Sequence, residues 1–173
     1  VTNEKKSSLL REDIQNIIPE FTGEISQLPP MFSAVQKNGQ RLYDLARQGI
    51  EIERESRNVT VYSLELLGFD EETQSGTLKV ACSKGTYIRT LIDDIGRKLG
   101  CGAVMTELER TLAMGFTLQN CVSLENMQER KDNELGFDDV LKSVEEMFSS
   151  YESVFVSPLQ AKRFQNGAPL DAN

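Results

Sequence analysis

Along this chain, apolar residues at helical spacing trade places with extended runs, and the breaks between them are marked by Pro, Gly and Ser. Ile14, Ile17 and Ile18 predict a helix over 8–18 that Ser8 caps and Pro19 ends. Residues 21–27 read as extended, and Leu28, Pro29 and Pro30 keep the backbone non-helical. A strand is expected at 32–35 and a tight reversal at Asn38-Gly39, because Asn-Gly takes positive φ readily. Leu42, Leu45 and Ala46 then predict a short helix over 41–48, closed by Gly49. Val59, Val61, Ser63 and residues 64–69 read as a strand that turns through the acidic stretch 70–76 and returns at 77–81. Ile88, Leu91, Ile92, Ile95 and Leu99 share one face of a helix stopped by Gly100.

Further on, 103–108 predicts a strand, Met114-Gly115-Phe116 a turn and Ser123 a capped helix start. Val140, Leu141, Val144, Met147 and Phe148 form the expected buried stripe of a helix over 137–148, and Ser157-Pro158 opens a short helix ending near Asn166-Gly167. Elements of uneven length, without regular βα alternation, predict an α+β class: a mixed, mainly antiparallel sheet flanked by helices. No repeat or heptad seam is present, and the charged stretch 128–134 is the best internal boundary.

Composition narrows the chemistry more than the fold. At 173 residues the chain can bury one core. No apolar run approaches membrane-spanning length and no signal-peptide pattern follows Val1, so the expected compartment is the cytoplasm, without membrane contact. Cys82, Cys101 and Cys121 are odd in number and widely spaced, which reads as reduced, mostly buried thiols. Histidine is absent, which excludes a Ser-His-Asp triad, a Cys-His pair and mixed His/Cys zinc sites, so proton transfer falls to carboxylate, lysine, tyrosine, thiol or substrate. A net charge of −8 argues against an overall basic nucleic-acid surface. The cations nevertheless gather where the chemistry looks interesting: Lys37, Arg41, Arg47, Lys84, Arg89, Arg97, Lys98 and Arg110.

Residues 82–100, CSKGTYIRTLIDDIGRKLG, are the most informative stretch. Thr86, Tyr87 and Arg89 are expected in the first turn of the helix, after Lys84 and Gly85, where unpaired N–H groups and two cations converge on one patch suited to a phosphate or carboxylate. Arg89 opposes the helix dipole there, which implies an anionic partner. Equally, Gly85 would serve a plain strand-to-helix turn, with Tyr87 packed and Arg89 solvated.

Four ordered motifs carry a resemblance: QLPPMFSA at 27–34, NGQRLYDLARQGIE at 38–51, the 82–100 stretch and LERTLAMGF at 108–116. Together they make the chain similar to the bacterial tRNA pseudouridine synthase B family, whose members convert the T-loop uridine at tRNA position 55 to pseudouridine. The resemblance implies the pseudouridine synthase fold, an RNA-binding isomerase acting on the T-arm stem-loop of tRNA, no metal and no cofactor, and a monomer at full length. It divides the chain into catalytic-domain sequence over 1–150 and, over 151–173, the cut-short opening of a PUA-like RNA-binding domain.

Matched residue by residue, the family implies that Tyr43 stacks on the target base, that Tyr87 lines the uracil pocket, and that Arg89 pairs with a catalytic aspartate and holds it ionised. Leu108 matches an apolar wall of the pocket, while Lys84 and Arg110 keep basic substrate-binding positions. A tyrosine at 43 would also suit the core side of an amphipathic helix, and a core leucine would look like Leu108. The sequence departs from the family at Phe32 in place of tyrosine, Gln36 in place of lysine and Glu109 in place of arginine, each of the latter two weakening phosphate attraction. The family's aspartate belongs to a GxLDPxAxG-type motif that has no counterpart here. Asp93 and Asp94 match other positions, so the expectation is a fragment without the nucleophile and, by itself, without activity; the alternative is a non-catalytic RNA-binding remnant of the same family.

Overall fold

A computed structural model of the chain describes residues 7–170; residues 1–6 and 171–173, the outer ends of the two expected domains, lie outside the described residues. It separates into two compact units that meet in sequence at Leu108 and Glu109.

In the first unit, helix α1 covers Arg11–Ile17. Its start is set by Asp13, whose carboxylate accepts from the Leu10 N–H at 2.8 Å, and not by Ser8 as expected. Pro19 ends the α-helix by entering a 3₁₀ turn at Ile18–Phe21. Strand β1 is Gly23–Gln27. The expected strand at 32–35 is irregular, and pairing begins only with β2 (Gln36–Lys37) and β3 (Gln40–Arg41), joined by Asn38 at φ 53° and Gly39 at φ 78°. Two successive positive φ values are the type I′ geometry the Asn-Gly pair favours. Helix α2, Leu42–Arg47, follows at once. The Gly49 N–H returns to Ala46 O and the Ile50 N–H to Leu45 O, each at 3.0 Å, a Schellman closure that needs Gly49 at φ 73°.

β4 (Arg57–Asp70) and β5 (Ser75–Cys82) complete an antiparallel sheet in the order β1-β4-β5. A register shift between Val61 and Ser63 changes the phase of β4, so that Val59 and Val61 are followed inward by Leu64 and Leu66 and not by Ser63 and Glu65. Helix α3, Ile88–Lys98, lies over this face. Leu91 and Ile95 meet Val61 and Leu64 in the core, with Ile17, Ile18, Phe21, Ile25 and Leu78 packed around them. Full burial of a leucine such as Leu91, 0% exposed, contributes about 1.5–3 kcal/mol. Behind α3, the chain turns through Gly100 and Gly102 and comes so close to buried Gly96 that a Cβ there would collide with the backbone of Gly102 and Ala103.

In the second unit, β6 (Leu112–Ala113) and β7 (Phe116–Thr117) form a hairpin through Met114 at φ 52° and Gly115 at φ 84°. Helices α4 (Leu124–Asp132), α5 (Val144–Met147) and α6 (Pro158–Gln165) each start behind a serine: Ser123, Ser143 and Ser157.

Several expectations are overturned. Residues 103–108 form no strand, since no partner among the described residues pairs with them. The boundary expected at 128–134 falls inside and just after α4. The helix expected over 137–148 reduces to a turn and the four residues of α5, because Asp139 is held by Arg130 at 2.6 and 2.8 Å and Ser143 starts a new helix. Its intended stripe is not buried: Leu141, Val144 and Phe148 are exposed. The cysteines are free, but Cys82 and Cys101 are only half-buried and Cys121 is exposed, against the expectation of mostly buried thiols. The α+β class itself, with antiparallel sheet and flanking helices, is the observed one.

Candidate functional site

Three of the six residues singled out from sequence, Tyr43, Tyr87 and Arg89, are attached to one short stretch, 27–33, that runs from the end of β1 toward the β2–β3 hairpin. Alternation along β1 turns Ile25 and Gln27 to the same face, which places an amide in the interior. Gln27 is 1% exposed, and its side chain answers for both polar groups: Oε1 accepts from the Tyr87 N–H at 3.0 Å and Nε2 donates to the Tyr87 carbonyl at 3.4 Å. Six residues along the connection, the Ser33 carbonyl accepts from the Tyr43 N–H at 3.1 Å. The Arg89 guanidinium reaches the Phe32 carbonyl over a longer 3.5 Å. Tyr43, Tyr87 and Arg89 thus hang from the same seven residues although α2 and α3 lie far apart in sequence.

Their local settings differ. Tyr87 is the residue before α3, extended and half-buried, and Arg89 is the exposed second residue of the helix. The loop ahead of them is anchored on β4: the Ser83 N–H donates to Thr60 O at 2.8 Å, the Thr60 N–H to Ser83 Oγ at 2.9 Å, and Thr86 Oγ1 to Ser83 O at 2.9 Å. Gly85, at φ 89°, makes the turn that leaves Lys84 exposed. Thr86 and Tyr87 therefore precede the first turn of α3, where the sequence placed them within it, and the Tyr87 N–H is already satisfied by Gln27. That removes one donor from the anion patch read from the sequence. Tyr43, half-buried on α2, has the Arg47 guanidinium 4.9 Å from its ring centre, so one face of the ring is occupied by a cation.

Beside this connection opens a cleft of about 480 Å³. Leu28, Met31, Phe32 and Ile50 give it apolar walls, and Arg54 and Asp94 are among its polar groups. Burial pushes the Asp94 carboxyl above its usual value; Arg97 pulls against that shift and Asp93 adds to it. Arg54 is tied to Glu51 at 2.9 Å and to the Pro29 carbonyl at 3.1 Å. None of Tyr43, Lys84, Tyr87, Arg89, Leu108 and Arg110 lines this cleft. Leu108 is 59% exposed at the last position of the first unit, and Arg110 is exposed near the start of the second.

Gln27 is the functional candidate that the sequence reading did not find. The signal was available: a glutamine in the inward phase of a strand, just before Leu28-Pro29-Pro30, must have a partner.

A family model described as "TruB family pseudouridylate synthase (N terminal domain)" matches residues 1–88, and one described as "tRNA pseudouridylate synthase B C-terminal domain" matches residues 89–149. A relative from Clostridium tetani (strain Massachusetts / E88), named tRNA pseudouridine synthase B, is 43% identical over 167 residues, which are 96% of this chain and 55% of the relative. A protein of the same name from Pseudomonas fluorescens strain Pf-5 is 56% identical over 118 residues, 68% of this chain and 38% of the relative. The chain therefore spans about half the length, or less, of the curated relatives it matches. Among solved structures, a chain of a Cbf5-Nop10-Gar1 complex superposes with a TM-score of 0.71 at 26% identity, covering 95% of this chain and 46% of that one.

Proposed function

We propose, since the chain belongs to the TruB family of pseudouridylate synthases, that it supplies the uracil-binding part of an enzyme isomerising uridine 55 in the T-loop of tRNA. The carrying observation is the attachment of Tyr43, Tyr87 and Arg89 to the 27–33 connection. Isomerisation breaks the bond between C1′ and N1 of uracil and forms one from C1′ to C5, with the C5 proton released and a proton taken up at N1, so the site must grip a base that is free for part of the cycle. An aromatic ring grips it by the flat face, and its removal from the RNA stack costs a few kcal/mol that the pocket offsets. In this reading Tyr87 lines the base, the free face of Tyr43 stacks on it, and Leu108 closes an apolar wall. Arg89 keeps the catalytic aspartate ionised, and Lys84 and Arg110 meet phosphates.

The 173 residues contain no Gly-x-Leu-Asp context, so the aspartate lies outside them in this proposal. The polypeptide of these residues alone then binds a T-arm stem-loop without isomerising it. Residues 151–173 belong, on the same reading, to the start of an RNA-binding domain.

The test pairs an electrophoretic shift with a T-arm stem-loop and tritium release from uridine labelled at C5. The complete gene product carrying these residues is expected to do both, and the 173-residue polypeptide to shift the RNA only. Release of tritium by the 173-residue polypeptide would overturn the placing of the aspartate, and absence of any shift with either protein would overturn the RNA reading.

A further inference from the structure

We infer that Gln27 is a positioning residue for the proposed reaction, one that fixes the direction in which Arg89 and Tyr87 leave the start of α3. The inference rests on the reading of Arg89 and Tyr87 just given. Its basis is a closed ring of attachments. From Gln27 at the end of β1, the side-chain amide holds both backbone groups of Tyr87. Tyr87 O also accepts from the Leu91 N–H at 3.0 Å, so the carbonyl that Gln27 holds is the one that opens the helix. Arg89, two residues on, reaches back to the carbonyl of Phe32. The chain from Phe32 to Gln27 contains Pro29 and Pro30, whose fixed φ stiffens it and closes the ring.

A glutamine is a poor choice for packing alone. It is almost wholly buried, and burying an amide is costly unless both its donor and its acceptor are used. Here both are used, on the two backbone groups of a single residue 60 positions away, in the manner of an added β rung. Leu91 and Ile95 fix the body of α3 against the sheet, but a side chain at 27 that merely filled space would leave the Tyr87 backbone, where the helix begins, without this polar tether. A rotation that shifts the guanidinium by about 1 Å is enough to cost up to about a hundredfold in turnover when that group must meet a carboxylate in the transition state.

The experiment compares Gln27→Leu, Gln27→Glu and Arg89→Met in the complete gene product, with melting curves to normalise rates to folded protein and a tritium-labelled T-arm stem-loop as substrate. Gln27→Leu, of similar size, is expected to lower kcat roughly tenfold or more with KM within about twofold, because phosphate contacts carry the affinity. Gln27→Glu provides a pH signature. Its neutral carboxyl has one donor and one acceptor like the amide, whereas its anion has no donor for Tyr87 O, so kcat in this variant is expected to rise as pH falls toward 6, relative to the unsubstituted protein. A kcat per folded molecule that is unchanged in Gln27→Leu, with Arg89→Met inactive, overturns the positioning role alone. Full activity in Arg89→Met overturns both this inference and the reading beneath it.

Discussion

The two units of this chain are held together over very different distances. In the first, the Gln74 side chain takes hydrogen bonds from Ser7 Oγ and the Leu9 N–H, each at 2.9 Å, and returns one to Leu9 O. Gln27 similarly bridges to Tyr87 across 60 residues. In the second, the side-chain hydrogen bonds of the described residues reach at most nine positions, from Arg130 to Asp139. The first unit buries Val61, Leu64, Leu91 and Ile95 together, while no described residue of the second is buried. Closing a long loop costs entropy whether or not the closing bond is strong. Bonds of that reach persist only where apolar burial has already brought the segments together. Caps and turns suffice to start and stop the helices of the second unit, but they give it little cooperative resistance to opening.

The sharpest test of this contrast is a pair of truncations. Leu91→Ala is expected to destabilise the first unit by about 2–5 kcal/mol in urea titration, whereas Phe155→Ala, at a residue 96% exposed, should change stability by less than about 0.5 kcal/mol. Equal effects would erase the distinction. Next in size is Gly96→Ala, which would gain helix propensity on an open surface but here drives a methyl group into the backbone at Gly102 and Ala103, for an expected loss of about 2–3 kcal/mol. A rise in melting temperature would deny the close approach.

A local loss is expected from Ser123→Ala, which removes the acceptor of the Asn126 N–H. About 1 kcal/mol should disappear from α4, read as faster amide exchange at Asn126 and Met127 with α3 and β4 unaltered. Smallest is Asp94→Asn. The folded carboxyl is raised above 3.8 by burial, so the ionised form is the one that folding disfavours. The substitution should stabilise slightly at neutral pH, and the gain should fade as pH falls through the folded value toward 3.8. A gain that grows in acid would reverse the sign of this assignment.

Those same distances decide what could be read from sequence. The I′ turn at Asn38-Gly39, the Gly49 stop, the hairpin into Lys84 and the helix starts at Ser123 and Ser157 all depend on neighbours a few residues away, and each is legible. The inward face of α3 was legible too, because five apolar residues at helical spacing leave no other arrangement. Helix length in the second unit was not: nothing in the periodicity of 137–148 announces that Arg130 will claim Asp139. The candidate site is legible only as a set of residues. Tyr43, Tyr87 and Arg89 came from family resemblance, but their common attachment to 27–33 depends on pairings across the fold, and the amide that secures Tyr87 was overlooked for the same reason.

Among the described residues, strand β4 has strand partners on both sides only at Val61, which faces Gly23 in β1 and Cys82 in β5. Past that point, toward Asp70, the side away from β5 meets no strand among the described residues, and α1 packs there instead, with the Arg11 guanidinium donating to the Leu66 carbonyl at 3.0 Å. A cation at that carbonyl occupies an acceptor on a stretch of β4 that lacks a second strand neighbour, which is one of the ways a sheet edge is blunted against pairing with another chain.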